Sequence, residues 1–115
     1  MEPRNVFITR YVASHAESLD WYEHLLGRPA DDRPMPSCHE WRLGGGVLFQ
    51  VIELPDRQGE ISVAFRVADA DGEAARLRDA GLDIDDPMPV EGFATLRYAE
   101  ARDPEGVPLG LLDGE

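Results

Sequence analysis

The chain has 115 residues, 43% of them hydrophobic and 30% charged, which suits one soluble globular domain that buries its own core without disulfides. Eleven basic residues, all Arg, face 23 acidic ones, so the net charge of −12 excludes the basic footprint that nucleic-acid binding relies on, and the absence of Lys excludes a Schiff base. No stretch approaches the roughly 18 apolar residues of a membrane span, the opening MEPRNVFITRYV lacks a signal-peptide pattern, and Cys38 has no second cysteine to pair with. A cytoplasmic protein without nucleic-acid or membrane partners is expected.

In chain order, an apolar strand ending in ITRYV leads to a helix. Ser14 and Glu17 hold the S-x-x-E spacing of a capping box, and Gly27 suits the left-handed position that closes the helix. Leu19, Tyr22 and Leu26 recur at helical spacing and form its apolar face. SCHEWRL and VLFQVIEL, joined by Gly44 to Gly46, read as paired strands. LPDRQGE, residues 54–60, has the composition of a linker. A second strand, VAFRV, then leads to a second helix, capped by Asp69, lined inside by Ala70, Ala74 and Leu77, and stopped by Gly81. DIDDPMPV, ATLRYAEAR, the turn DPEG and VPLGLLD follow as three strands. Val12 and Val67 lie 55 residues apart and Gly27 and Gly81 lie 54 apart, so the chain reads as two copies of one unit. Module 1 covers about residues 1–54, a linker 55–60, and module 2 about 61–115 of a single domain.

The segments LDWYEHLLGRPA, WRLGGGVLFQV, VADADGEAARLRDAGL and ARDPEGVPLGLL, in this order, give the chain its likeness to a known family. It resembles the vicinal oxygen chelate superfamily of glyoxalase I, bleomycin-resistance proteins and extradiol dioxygenases, and is nearest the metal-free bleomycin-resistance-like branch. The resemblance covers nearly the whole chain. It implies an α+β fold in which two βαβββ modules form a curled, cup-shaped mixed sheet with the helices outside. It also implies that metal-binding relatives carry one ligand on the first and one on the last strand of each module.

Counting back from the two helix motifs places those first-strand positions at Phe7 and Ser62, 55 residues apart. Counting from the turns, Gln50 follows Gly46 by four and Gly110 follows Gly106 by four. None of the four is an imidazole or a carboxylate, the groups a divalent catalytic ion prefers, so neither a metal nor another cofactor is expected there. Gly110 would leave the floor open where a relative projects a carboxylate. Cys38, His39 and Glu40 include three ligand types, but strand neighbours point to opposite faces, so at most two converge. Nothing in the sequence marks Cys38 as a nucleophile.

Strand alternation puts Thr9 and Tyr11 on the face of Phe7, Leu48 and Ile52 on that of Gln50, and Ala64 and Arg66 on that of Ser62. Arg66 suits either a clamp for a ligand carboxylate or a salt bridge. Trp41 either stacks on a flat ligand or fills the core, according to the register of its strand pair. The candidate ligand-binding residues are Phe7, Thr9, Tyr11, Trp41, Gln50, Ser62, Arg66 and Gly110, with no catalytic residue identified. They describe a metal-free protein that sequesters or carries a small molecule and is closed by homodimerisation over apolar strands such as VLFQVI. Two alternatives stand beside it. One is a lyase, isomerase or dioxygenase-like enzyme, metal-independent or with a displaced metal site; the other is an interaction or regulatory domain with a vestigial cup.

Overall fold

A computed structural model describes residues 1–115. The fold is mixed α+β with two helices, in two compact units, one of residues 7–61 and one of residues 62–115 with 1–6.

The unit of residues 7–61 contains most of β1 (Asn5–Val12), then α1 (His15–Leu26), β2 (Asp32–Met35), β3 (Cys38–Gly44) and β4 (Val47–Glu53). The strands lie in the order β2, β3, β4, β1. As the periodicity predicts, Leu19, Tyr22 and Leu26 of α1 pack on Val12, Trp41 and Val51, with Ala30 and Phe49 completing the cluster. Gly27 closes the helix at φ 77°, its N–H reaching the His24 carbonyl. The start differs from expectation, since the Ser14 side chain makes no capping bond. Glu53, at the end of β4, accepts the His15 N–H at 3.0 Å instead. The strand β2 escapes a reading of the sequence because Asp32, Arg33 and Pro34 are exposed and show no alternation. It forms as an edge beside β3, where Pro34 is tolerated. The expected linker is a 3-10 turn, Pro55–Arg57, and its continuation is bonded to β1: Gly59 donates to the Tyr11 carbonyl and Tyr11 to that of Glu60, both at 3.0 Å.

The other unit holds β5 (Ile61–Arg66), α2 (Ala70–Asp79), β6 (Asp83–Ile84), β7 (Met88–Pro89), β8 (Arg97–Arg102) and β9 (Pro108–Asp113). Here β9 lies between β8, antiparallel, and β5, parallel, so that the first strand again neighbours the last. The run DIDDPMPV, read as one strand, is two short ones that pair separately with β8. Pro87 has no N–H to continue the ladder between them. Ala70, Ala74 and Leu77 face Val67, Ile84, Ala99 and Leu111, and Asp69 caps α2 by accepting the Gly72 N–H at 3.1 Å. Asp113, ending β9, accepts the Ala70 N–H at 2.8 Å. This repeats the bond from Glu53 to His15: in each unit the last strand holds the start of its own helix. Each unit is thus strand, helix and further strands. No helix is long and apolar enough to cross a membrane.

Candidate ligand-binding site

The cross-strand register decides which side chains share a face. On β3 and β4, Glu40 pairs with Gln50 and Trp41 with Phe49. Trp41 therefore belongs to the helix side. It is fully buried, its Nε1 donates to the Arg28 carbonyl at 3.1 Å, and its ring lies 6.2 Å from that of Phe49. This corrects Trp41 as a ligand-binding candidate: it is core, with no face left on which a ligand can stack.

The opposite face carries a chain of polar groups. The Thr9 hydroxyl donates to Gln50 Oε1 at 2.9 Å, and Gln50 Nε2 donates to Glu40 Oε2 at 2.6 Å. Thr9 and Glu40 are only 5% and 9% exposed. The carboxylate, which only accepts, fixes which end of the amide meets it, and the Thr9 hydroxyl, able to donate or accept, donates to the amide oxygen that remains. Glu40 forms no ion pair, and no hydrogen bond reaches its other oxygen, Oε1. No buried side-chain oxygen is left unsatisfied, so Oε1 opens to solvent. Cys38, two residues earlier on the same strand, is fully buried. Desolvation, with the nearby Glu40 charge as the smaller cause, pushes its thiol up to about 12, which leaves it neutral and inert.

The remaining candidates separate. Phe7 is buried on β1. Tyr11 is engaged by Arg57, whose guanidinium carbon sits 4.2 Å from the ring centre while Nη1 donates to the hydroxyl at 3.2 Å. Ser62 is half-buried on β5. Arg66 donates to the Gly114 carbonyl and lines an opening of about 510 Å³ with Arg4, Val67, Ala68, Gly114 and Glu115.

The open floor expected at Gly110 is absent. A Cβ at that position would lie 2.4 Å from Tyr98 Cε2, 2.7 Å from the Tyr98 hydroxyl and 2.9 Å from the Ala64 Cβ, so the tyrosine ring already occupies the space. Nor is a left-handed backbone the reason for the glycine, because Gly110 is not among the residues with positive φ. Its cross-strand partner is Glu100, whose Oε2 accepts from the Tyr98 hydroxyl at 3.0 Å. Tyr98 and Glu100 are residues the sequence reading missed, and Glu40 entered it only as one of three adjacent metal-ligand types. The repeat held a signal for two of them, since Glu40 precedes Gln50 by ten residues and Glu100 precedes Gly110 by ten.

The pattern of the Glyoxalase/Bleomycin resistance protein/Dioxygenase superfamily matches residues 6–111, and the chain belongs to that superfamily. Solved structures share the fold. One is an NAD-dependent benzaldehyde dehydrogenase from Legionella pneumophila, 16% identical with a TM-score of 0.76 over 96% of this chain and 99% of that one. A superfamily member from Vibrio splendidus 12B01 is 19% identical, with a TM-score of 0.66 over 96% and 98%. A methylmalonyl-CoA epimerase variant from Streptomyces coelicolor, in complex with 2-nitronate-propionyl-CoA, is 18% identical, with a TM-score of 0.69 over 98% and 99%. At such identities the likeness is one of fold. No curated protein matches the chain.

At the four positions that the resemblance assigns to metal ligands, the side chains are not a set that a divalent ion prefers, Ser62 offering only a hydroxyl. Phe7 and Gly110 have no donor atom, and the carbonyl oxygen of Gln50 already accepts from Thr9. No three His, Cys, Asp or Glu side chains gather within either unit.

Proposed function

We propose that this protein binds a small organic molecule on the face bearing Thr9, Gln50 and Glu40, without a metal at the family's ligand positions, and that it sequesters or carries that molecule. The observation that carries the reading is the ordered polar chain itself. It ends in a carboxylate oxygen open to solvent on a side chain otherwise nine-tenths buried, and sits where a relative would hold a ligand-donating residue. A few polar groups of fixed orientation among apolar neighbours are what small-molecule sites use for specificity. A cytoplasmic location and a homodimer belong to the same proposal, and light scattering should give twice the chain mass of 12.8 kDa.

Native mass spectrometry of the purified protein tests the reading, followed by NMR of the Gln50 side-chain amide. A co-purifying organic molecule whose removal and return shift that amide supports it. One Zn, Fe, Ni or Mn per chain by elemental analysis would overturn it.

One observation favours a second reading, an enzyme that moves a proton. Glu40 is an oriented carboxylate without a counter-ion, which is also what a general base requires, and the fold is shared with a methylmalonyl-CoA epimerase. Solvent deuterium entering methylmalonyl-CoA in the presence of the wild type but not of Glu40→Gln would favour the enzyme over the binder.

A further inference from the structure

Two carboxylates of this chain are buried, Asp113 at 7% exposure and Glu40 at 9%, and they are treated oppositely. Asp113 is matched in full. Arg97 grips both its oxygens, with Nε on Oδ1 at 3.1 Å and Nη2 on Oδ2 at 2.8 Å, and Ala70 adds its N–H to Oδ2 at 2.8 Å. Glu40 receives one neutral amide N–H on Oε2 and nothing on Oε1, although the chain has eleven arginines. A buried charge is costly unless it is paired and hydrogen-bonded, and a single amide orients a carboxylate without neutralising it.

We infer that Glu40 is the anchor for a positively charged nitrogen of the ligand, and that the molecule bound on this face carries a protonated amine. Since Gln50 occupies Oε2, one oxygen is left, and a point-like ammonium fits it better than the paired N–H groups of a guanidinium, which seek both oxygens of a carboxylate. The net charge of −12 acts in the same direction by raising the local concentration of cations. Thr9 and Gln50 then serve as positioning residues. This inference rests on the binding reading above and adds the charge of the ligand to it.

Three probes of one shape separate the two claims: benzylamine, charged at neutral pH, benzyl alcohol, neutral, and benzoate, of opposite charge. Binding is read from the NMR signals of the Gln50 side-chain amide and the Thr9 backbone. Benzylamine should shift both, and Glu40→Gln should weaken its binding roughly 10- to 100-fold, the range of a hydrogen bond to a charged group. The same variant, relieved of an unpaired charge, should melt no lower than the wild type, whereas loss of a structural residue would lower the melting temperature. Equal shifts with benzyl alcohol, or benzylamine binding untouched by Glu40→Gln, would overturn the inference. Shifts with benzyl alcohol or benzoate but not benzylamine would sink it too, yet leave the binding reading standing. Silence with all three would remove both.

Discussion

The steric notch at Gly110 turns a glycine into a measurable packing constraint. An added Cβ would meet Tyr98 Cε2 at 2.4 Å, the Tyr98 hydroxyl at 2.7 Å and the Ala64 Cβ at 2.9 Å, all well inside ordinary contact, while the backbone is already in a conformation any residue adopts. Gly110→Ala should therefore cost about 1–3 kcal/mol through overpacking and not through strain in φ. For a domain of this size that lowers the melting temperature by very roughly 4–12 °C. Because the closest atoms belong to one side chain, the cost should depend on Tyr98. In a Tyr98→Ala background most of it should vanish, leaving the residual contact with Ala64 and a coupling energy of about 1–2 kcal/mol between the two positions. Thermal and chemical denaturation of wild type, both single variants and the double variant close the cycle. Equal penalties for Gly110→Ala in the two backgrounds would refute the notch and return the cause to the backbone or to Ala64. Gly110→Glu, harmless if the floor were open, should be the most damaging substitution of this series.

The buried, neutral thiol of Cys38 should resist thiol reagents at about pH 8 in the folded protein and react at once in denaturant, since only the thiolate attacks; rapid labelling of the native state would contradict its placement. Burial, and behind it the charges of His15 and Arg33, hold His39 below its ordinary value of 6.5, so the unfolded chain takes up the proton first and stability should fall as pH drops below about 6.5. His24 acts in the opposite sense, raised by its bond to the Asp20 carbonyl and by that residue's charge, and stabilises below 6.5 until pH rises through its folded value. The first cause at His24 is a hydrogen bond, which salt does not screen, so a His24→Gln background should isolate His39, and there His39→Gln should flatten the dependence between about pH 7 and pH 5.5; an unchanged slope would exclude His39 as the source. Ser14→Ala should change stability by less than about 0.5 kcal/mol, whereas Glu53→Ala, which removes the acceptor that holds α1, should cost about 1 kcal/mol by thermal melts; the reverse order would restore the capping box.

What the sequence makes legible here is local or repeated. The apolar stripes of both helices, the Asp69 cap and the Gly27 stop follow from spacing within a single element, and the structure keeps them all. The family and the α+β fold follow from the order of four motifs. The features that escaped are set by pairing between distant strands. Which face Trp41 takes depends on a ladder whose register shifts between Arg42 and Gly44, where three successive glycines at φ 89°, 60° and 79° form the turn. No count along the chain fixes that shift. Glu40 was visible as one of three adjacent ligand types, but its face follows from the same register. Tyr98 gave no signal, because its ring covers a glycine on the neighbouring strand, diagonal to its own partner Leu112.

The two units solve one problem in different ways, and the difference explains why Glu40 and not Glu100 is the anchor. Each penultimate strand carries a glutamate opposite the family's ligand position, Glu40 across from Gln50 and Glu100 across from Gly110. Each glutamate receives a single neutral donor on Oε2. In the first unit it comes from the last strand, as the Gln50 amide. In the second the glycine has no side chain to offer, and the donor comes from Tyr98 on the glutamate's own strand. A glycine on the last strand and a tyrosine on the one before it thus form a matched pair, each needed for the other to fit. The environments differ more than the donors, since Glu100 is half-buried and Glu40 only 9% exposed. Water screens the charge of Glu100 more fully, whereas Glu40 meets solvent only at Oε1, where an unpaired charge is less well solvated and a matching cation is bound more strongly. Of two equivalent carboxylates, the more desolvated one gains more from a charged ligand.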